Sequence, residues 1–444
     1  MSFFLSSSPL EALSPQSLFS PSSRMSLLRR LSALFPGYRL SVPESTTVLV
    51  VGAGSTGLAL AQGLKMAGIR VVVVEKAPSL DAHPRDWNMG LHWGTESLKS
   101  LMPAEMWARI QTIQVDPFTP TVPVDAIKFL NGQTGELMMS VPAKNFYRLR
   151  RRKLRRLLSE GLDIRYSHHL SDIEYSADGR TATAQFQTQP PITASLIVGA
   201  DGAKSTTRDL LLGPNGTIRS LPYCATWIQA RYTPEQALFL RKFHPLYLAS
   251  INPAGYFSFF GTQDVPDPQR PETWTFFFYI SWYSSFEEQE QTKDWSNKQR
   301  LEQVKQFATN FTDPWKSAFE WLPDDQEVWY MSLTDFDPGS EGHRWSNRDG
   351  RVTLAGDAAH AMTYQRGQGL NHSVTDAGRL ASAIKEFVSG QKSRHDAIEE
   401  YENEMIERAG GEVRMSTTNT EMVHDWDRVL KSPIMTSGMT KVGS

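Results

Sequence analysis

The feature that most constrains this chain is a glycine-rich turn between a strand and a helix. Thr47–Val51 is a run of β-branched and apolar residues typical of a buried parallel strand, and it ends in the sequence Gly-Ala-Gly-Ser-Thr-Gly at 52–57. Residues 58–67 have helical spacing and end at Gly68, and residues 69–74 form a second apolar strand. This order predicts one βαβ unit of an α/β, Rossmann-like fold.

The spacing of three glycines and one carboxylate predicts what this unit binds. Gly52, Gly54 and Gly57 fit the pattern GxGxxG, in which missing side chains let backbone N–H groups approach a pyrophosphate. Glu75 follows roughly 20 residues later and is placed to accept from ribose hydroxyls. In this context we interpret the glycines as a dinucleotide site in preference to a merely tight turn. The acidic residue favours FAD or NAD over NADP at this site.

Later segments predict that the nucleotide fold is interrupted and then resumes. Buried strands at 196–200 and 351–355 lead into Asp201-Gly202 and Gly356-Asp357, and a long helix is predicted from Asn371 to about residue 388. We expect a nucleotide-binding domain over 45–217, with a short strand excursion near 115–145, and again over 346–430. An aromatic-rich β-sheet substrate domain is predicted as an insertion over 218–345, and residues 431–444 as a tail. Helices are also predicted at 96–110 and at the basic segment 147–160.

Composition narrows the class of protein. The chain has 46 Lys and Arg against 48 Asp and Glu, a net charge of −2, which gives no indication of a nucleic-acid partner. Cys224 is the only cysteine, so an intrachain disulfide and a cysteine-built zinc or iron–sulfur site are excluded and no metal is expected. No run reaches the ~18 apolar residues of a membrane span. We expect an intracellular, cytoplasmic location.

Residues 1–44 are predicted to be a disordered leader. They are rich in Ser and Pro, and they carry four arginines against two glutamates. Residues 25–35 could form one short amphipathic helix. A free tail, a true start at Met25, organelle targeting and weak contact with a membrane surface all remain open.

Two further motifs carry a family resemblance. The sequence Gly-Asp-Ala-Ala-His-Ala-Met-Thr-Tyr-Gln-Arg-Gly-Gln-Gly-Leu-Asn at 356–371, continuing to Asp376, resembles the second flavin motif of class A flavoprotein monooxygenases, which have the para-hydroxybenzoate hydroxylase fold. Residues 196–208 resemble the middle motif of that family, which is implicated in FAD and NAD(P)H binding. With the first motif they stand in the order of the family over roughly 46–410. The chain looks most like the fungal branch that acts on secondary metabolites.

The resemblance implies a reaction and its co-substrates. It implies non-covalent FAD, NADPH or NADH, and O2, with a flavin C4a-hydroperoxide hydroxylating or epoxidising an apolar aromatic, polyketide-type or terpenoid-type compound. The nucleotide-binding domain would then be an FAD-binding domain. Two alternatives stay open, namely a flavoprotein reductase or cyclase on the same fold and a binding module like the prenyl-protein chaperones.

The candidate cofactor contacts follow from the motifs. Asp357 is expected to accept from a ribityl hydroxyl, and backbone amides near Gly367 and Gly369 to face the flavin. Arg151 matches a family position at the ribityl or phosphate part, although a solvated helix face is an equal alternative. His360 is expected to pack beneath the loop and donate to a carbonyl. The full predicted set is Gly52, Gly54, Gly57, Glu75, Arg85, Arg151, Asp201, Gly202, Gly356, Asp357, Gly367, Gly369, Leu370 and Asn371.

Two tyrosines are the candidate catalytic residues. In the aromatic run 273–286, Tyr279 shares with Phe277 and Ser281 the strand face that is our best prediction for a pocket wall. Tyr364 stands, like Ala361, where the family commonly has proline. Its hydroxyl could orient water, a substrate oxygen or the peroxide, or the ring could merely fill space.

Overall fold

A parallel five-stranded sheet brings the predicted nucleotide motifs to one edge. In a computed structural model of the chain, the structure describes residues 47–82 and 85–439. The sheet has the order β17-β11-β1-β2-β7, and all neighbours are parallel. Its strands, in that order, are Val352–Leu354, Leu196–Gly199, Thr47–Val51, Arg70–Val74 and Ile164–Arg165. Because carboxyl ends of parallel strands share an edge, the residues that follow β1, β2, β11 and β17 converge there.

Helices cover this sheet and connect its strands. Helix α1 (Ser55–Met66) follows the glycine turn and packs against the long helix α11 (Gly369–Val388). Beyond α11 lies a helix of 30 residues, α12 (Arg394–Val423), which the sequence analysis did not predict. The other helices are α2 (Thr95–Ser100), α3 (Ala104–Trp107), α4 (Arg151–Ser159), α5 (Thr206–Leu212), α6 (Pro234–Arg241), α7 (Phe286–Gln291), α8 (Asn297–Ala308), α9 (Trp315–Glu320), α10 (Asp357–His360) and α13 (Pro433–Ser437).

A second, seven-stranded sheet is rich in aromatic residues. Its order is β16-β12-β15-β14-β13-β4-β5, and only the pair β13–β4 is parallel. The strands are β4 (Val124–Asn131), β5 (Leu137–Lys144), β12 (Arg219–Ala230), β13 (Tyr247–Asn252), β14 (Tyr256–Asp264), β15 (Thr275–Tyr283) and β16 (Val328–Asp335). The strand excursion predicted near 115–145 thus joins this sheet, so the sheet is not confined to 218–345. Two smaller sheets contain β8 (Leu170–Tyr175), β9 (Ala182–Phe186) and β10 (Ile192–Ala194), and β3 (Asn88–Leu91) with β6 (Tyr147–Arg150).

Two helix predictions were wrong in part. Tyr147–Arg150 is strand β6, antiparallel to β3, and the helix begins only at Arg151. A distant strand partner outweighs the helix propensity of the arginines here. The segment 96–110 divides into α2, α3 and a short 3-10 turn, because Pro103 cannot continue the first helix and instead precedes the second.

Part of the predicted tail is folded. Ile434, Met435 and Met439 are buried in the core against the large sheet, so residues 431–439 are packed. The predicted leader 1–44 and residues 440–444 lie outside the described residues. In the part of the chain that the structure describes, no helix is both long and apolar enough to cross a membrane.

Candidate active site

The glycine turn after β1 divides into two packed positions and one open position. A Cβ on Gly52, whose φ is +111°, would lie 2.4 Å from the carbonyl oxygen of Ala200, and one on Gly57 would lie 2.2 Å from that of Gly52. At Gly54 the nearest atom would be 3.8 Å away. The outer glycines therefore permit tight packing, while the middle one leaves the backbone open to a ligand such as a pyrophosphate.

Glu75 is built into this turn. Its two carboxylate oxygens accept from the backbone N–H groups of Ala53 and Ala77, each at 2.9 Å. A carboxylate oxygen can accept more than one hydrogen bond, so the side chain keeps capacity for ribose hydroxyls. The buried Arg155 donates from Nε to the Ala53 carbonyl oxygen at 2.9 Å and supports the same turn.

Asp357 and Arg151 are oppositely charged groups at the same edge. The Asp357 side chain is exposed. Enough protein nevertheless surrounds it for desolvation to raise its pKa, and the charges of His360 and Arg151 oppose this rise. Desolvation lowers the pKa of Arg151 to about 10, and Asp357 and Glu75 are among the acids that oppose this shift. The Arg151 guanidinium lies 4.3 Å from the centroid of the Trp87 ring. Both groups fit contacts to the polar middle of a dinucleotide.

Three further glycines have open space where a side chain would lie. A Cβ added to Gly202, Gly367 or Gly369 would meet no atom within 4 Å. Gly202 and Gly367 have φ values of +83° and +66°, which favour glycine, and Gly369 begins helix α11. We call these three residues and Gly54 the glycine cradle, because the backbone at each of them is open to close approach by a flat, charged cofactor. The residues present therefore fit FAD.

The side chain of Asn371 is fully used within the protein. Its Oδ1 accepts from the backbone N–H groups of His92 at 2.9 Å and Gly94 at 3.1 Å, and its Nδ2 donates to the Gly90 carbonyl oxygen at 3.1 Å. It therefore fastens the start of α11 to strand β3. Leu370 beside it is buried. These two predicted contacts position the loop, and only their backbone is free to meet a flavin.

Two predicted cofactor contacts, Asp201 and Arg85, have side chains that are either hydrogen-bonded within the protein or exposed. The Asp201 carboxylate accepts from Ser205 Oγ at 2.5 Å and from the Thr207 N–H at 3.0 Å, so it closes the start of α5. Burial raises its pKa, against those hydrogen bonds. Arg85 is exposed beside two residues that the structure leaves undescribed.

A buried ionic cluster lies beneath residues 356–368, the segment between β17 and α11 that we call the flavin loop. His360 Nε2 lies 2.5 Å from Asp376 Oδ2, so its partner is a carboxylate and the prediction of a carbonyl partner was wrong. Asp376 also accepts from the Gly356 N–H at 2.8 Å and from Arg408 at 2.7 Å. Burial would raise the pKa of Asp376, but the charges of His360 and Arg408 hold it well below its usual range. Long helix α12 supplies Arg408, so it fixes the loop from below.

Aromatic side chains line the inner face of the large sheet. Phe259, Tyr279 and Trp227 are cross-strand neighbours on β14, β15 and β12. Tyr279 stacks on Trp227 at 5.4 Å and on Phe259 at 5.8 Å between ring centroids. We call these three residues the aromatic row. Phe276, Phe278 and Ile280, on the opposite face of β15, pack in the outer core beneath α8 and α9.

The flavin loop meets the aromatic row through Tyr364. The Tyr364 ring lies 5.0 Å from both Trp227 and Tyr279, edge to face, and its hydroxyl accepts from Trp227 Nε1 at 3.3 Å. Burial raises the pKa of Tyr364, against hydrogen bonds with Trp227 and Ser281. The two predicted catalytic tyrosines are thus in contact with each other at the junction of the two sheets.

Sequence reasoning did not single out several residues of this site. Arg155 was one of many arginines in a basic segment, and Trp227 and Arg408 stand in no motif. Their roles depend on partners more than 30 residues away along the chain, as in Arg408–Asp376. The helical spacing of α12 was the one available signal for Arg408.

A Rossmann-type sheet, a glycine cradle and an adjoining aromatic sheet define a flavin-dependent oxidoreductase. Residues 45–416 match the family described as FAD binding domain, and the chain belongs to this family. It is 34% identical over 397 residues to the FAD-dependent monooxygenase phnB of Penicillium herquei, covering 88% of this chain and 95% of that protein. The FAD-dependent monooxygenase cctM of Talaromyces islandicus is 34% identical over 401 residues, with coverage of 89% and 98%. The protein is an FAD-dependent monooxygenase of the secondary-metabolite type.

Solved structures confirm the fold at low identity. Klebsiella pneumoniae HpxO, complexed with FAD and uric acid, superposes with a TM-score of 0.68 at 17% identity over 91% of this chain and 96% of that one. P. aeruginosa PqsL, in complex with 2-aminobenzoylacetate, gives a TM-score of 0.67 at 17% identity, over 87% and 99%. The predicted family and fold are confirmed, whereas the individual site residues remain predictions.

Proposed function

We propose that the protein uses NADPH or NADH and O2 to insert one oxygen atom, as a hydroxyl or an epoxide, into an aromatic secondary metabolite. The observation that carries this proposal is the contact between Tyr364 of the flavin loop and the aromatic row. A flat substrate on that row would lie beside the loop that is expected to hold the flavin. FAD, when bound, supplies the transfer of electrons from the nicotinamide to O2.

The amino-terminal end of α11 favours negative charge beside Gly367 and Gly369. Free backbone N–H groups and the positive end of a helix dipole favour anions, and α11 is 20 residues long. The backbone around Gly367 and Gly369 is open. We infer that these N–H groups would hold the ring end of FAD and would favour negative charge on it.

A chain of hydrogen bonds can move a proton at the Tyr364 hydroxyl. His424 Nδ1 lies 2.7 Å from the Thr420 carbonyl oxygen, so it carries a hydrogen, and Nε2 is left to accept from Ser281 Oγ at 2.9 Å. Burial lowers the pKa of His424 to about 4, so the ring is neutral near pH 7. Ser281 in turn is a hydrogen-bond partner of Tyr364. Tyr364 can therefore accept a proton from a substrate hydroxyl while passing its own toward Ser281.

The aromatic row is itself shielded from water. Tyr279 and Trp227 are almost fully buried, and burial raises the pKa of Tyr279 far above its ordinary value. Tyr279 therefore stays a neutral phenol and presents an apolar ring to a substrate. An enclosure of this kind protects reactive oxygen species from hydrolysis.

Non-covalent attachment of FAD is part of the proposal. Cys224 Sγ lies 2.8 Å from the Tyr330 hydroxyl and is buried in the outer core of the large sheet, on the face away from the flavin loop. Acid precipitation should therefore release all of the yellow colour. Colour that remains in the pellet would contradict this part of the proposal.

The experiment that tests the reaction measures oxygen consumption by the FAD-loaded protein with NADPH or NADH and a panel of phenols and polyketide-type aromatics. We expect at least one compound to accelerate O2 consumption and to yield a product heavier by one oxygen atom. Nicotinamide oxidation that leads to a reduced or cyclised product without added oxygen would instead indicate the reductase or cyclase alternative.

A further inference from the structure

Arg148 is placed beside both the flavin loop and the aromatic row. It lies on β6 directly opposite Gly90 of β3. Gly90 is also the residue whose carbonyl oxygen accepts from Asn371 at the start of α11. The Arg148 guanidinium lies 4.6 Å from the centroid of Phe259, at one end of the row. A cation therefore stands at the end of the row that is opposite Trp227.

The charge of Arg148 has no acidic partner among the described residues. Its Nε is buried and makes no hydrogen bond, and no ion pair of its guanidinium is found in the described part of the chain. Arg150, two residues along the same strand, shows the contrast. It forms ion pairs with Asp86 at 2.7 Å and with Asp264 at 2.5 Å. The local structure thus supplies carboxylates for one arginine and leaves the other to face aromatic rings.

Arg148 remains charged in this setting. Burial lowers its pKa to about 10, while the phenols of Tyr247 and Tyr279 oppose the shift, so the guanidinium is a cation near neutral pH. The ring of Tyr247 lies 5.8 Å away, and its hydroxyl donates to Asp125 at 2.5 Å. By surface area Arg148 is only half-buried. Contacts with aromatic faces compensate such a cation only partly, and a charge-assisted hydrogen bond to an anion would compensate it far better.

We propose that Arg148 is a specificity residue that binds the acidic oxygen of the substrate, so that the enzyme selects aromatic compounds carrying a carboxylate or an ionised enol. The ring of such a compound would lie along the aromatic row, with its anionic oxygen at Arg148 and the position to be oxidised toward Tyr364. This inference rests on the proposed function, because it assigns the substrate class of the same site.

The test measures ligand affinity by the change in flavin absorbance of the FAD-loaded protein near pH 7.5. Two matched pairs of probes are used. The first is 1-hydroxy-2-naphthoate with its methyl ester, and the second is 4-hydroxycoumarin, an acidic enol, with neutral 4-methoxycoumarin. We expect the wild-type protein to bind the anion of at least one pair about tenfold or more tightly than its neutral partner, the factor that separates charge-assisted from ordinary contacts. The pair that shows the preference identifies the acidic group.

Variants assign that preference to Arg148. Arg148→Gln should abolish it while leaving the neutral probes and FAD bound as before, and Arg148→Lys should retain part of it. Arg156→Gln removes the same charge from an exposed position on α4 and should keep the full preference. Wild-type protein that shows no preference for either anion would overturn the proposal. So would FAD-loaded Arg148→Gln that keeps the preference.

This test is separable from that of the proposed function. FAD content, and NADPH oxidation by the wild-type protein without ligand, report on the flavin enzyme itself. A yellow protein that oxidises NADPH but binds neutral and anionic probes equally would refute only the role of Arg148.

Discussion

Glu402 should make the stability of the protein depend on pH. Its carboxylate, on α12, has no exposed surface and accepts from Trp345 Nε1 at 2.8 Å, Thr353 Oγ1 at 2.7 Å and Asn347 Nδ2 at 3.0 Å. All three donors are neutral. Burial raises the pKa of Glu402 from 4.5 to about 7, against these hydrogen bonds.

The sign and size of the effect follow from linkage. Because the pKa is higher in the folded protein than in the unfolded chain, the stability contributed by Glu402 is fully present below pH 4.5 and is lost as pH rises to about 7. One pKa unit corresponds to about 1.4 kcal/mol, so the loss is about 3 kcal/mol. Thr353 belongs to the strand that leads into the flavin loop, so this loss of stability affects the support of that loop.

Glu402→Gln removes the ionisation and nearly preserves the shape. Its amide oxygen can accept from Trp345 and Thr353, while the Asn347 side chain keeps its hydrogen bonds with Gly350 and Glu399. We expect urea unfolding of the FAD-loaded variant to give a stability about 1–3 kcal/mol above wild type at pH 8, with no gain at pH 5. Glu407→Gln, exposed on the same helix, should show no such difference. Equal stability changes at pH 5 and pH 8 in Glu402→Gln would refute the reasoning.

Four other substitutions test the site. Asp376→Asn leaves the buried Arg408 without its full charge partner, and it should lower the free energy of unfolding in urea by about 3–5 kcal/mol; a loss below about 1 kcal/mol would contradict the role of the cluster. Asp357→Ala and Glu75→Ala should each weaken FAD binding, by about 1–3 kcal/mol in a titration of the apoprotein, and full FAD loading of both variants would show that the cofactor is misplaced. Tyr364→Phe should bind FAD normally but form more hydrogen peroxide per nicotinamide oxidised with substrate present, whereas an unchanged ratio would mean that the ring only fills space.

The sequence was sufficient to predict the nucleotide-binding fold, because that fold depends on patterns of neighbouring residues. Buried strands followed at once by Gly52, Asp201 or Gly356 predict both the strand and the edge at which it ends. The packing at Gly57 and the open space at Gly54 follow from the same spacing. These features need no knowledge of distant contacts.

What the sequence could not provide depends on pairing between distant segments. The residues at 147–150 have the composition of a helix, but they pair with 88–91 and form a strand. That pairing turns Arg148 toward the aromatic row. In the same way, the unused charge of Arg148 becomes visible only once Asp86 and Asp264 are found beside Arg150. Which charges find partners is decided in the folded core, and no spacing of residues along the sequence predicts it.

The central claim is that the flavin lies across the start of α11, and Gly369→Ala tests it most directly. A methyl group at Gly369 would meet no protein atom within 4 Å, so it should not disturb the apoprotein, but it would occupy the cradle. Gly378→Ala, in the same helix, places its methyl group 3.6 Å from Ser97 Cβ, away from the cradle, and is the matched control. The measurement is the Kd of FAD for the two apoproteins and wild type. We predict weakening of about tenfold or more, roughly 1.4 kcal/mol, in Gly369→Ala alone. Wild-type affinity in Gly369→Ala, or equal weakening in both variants, would contradict the account.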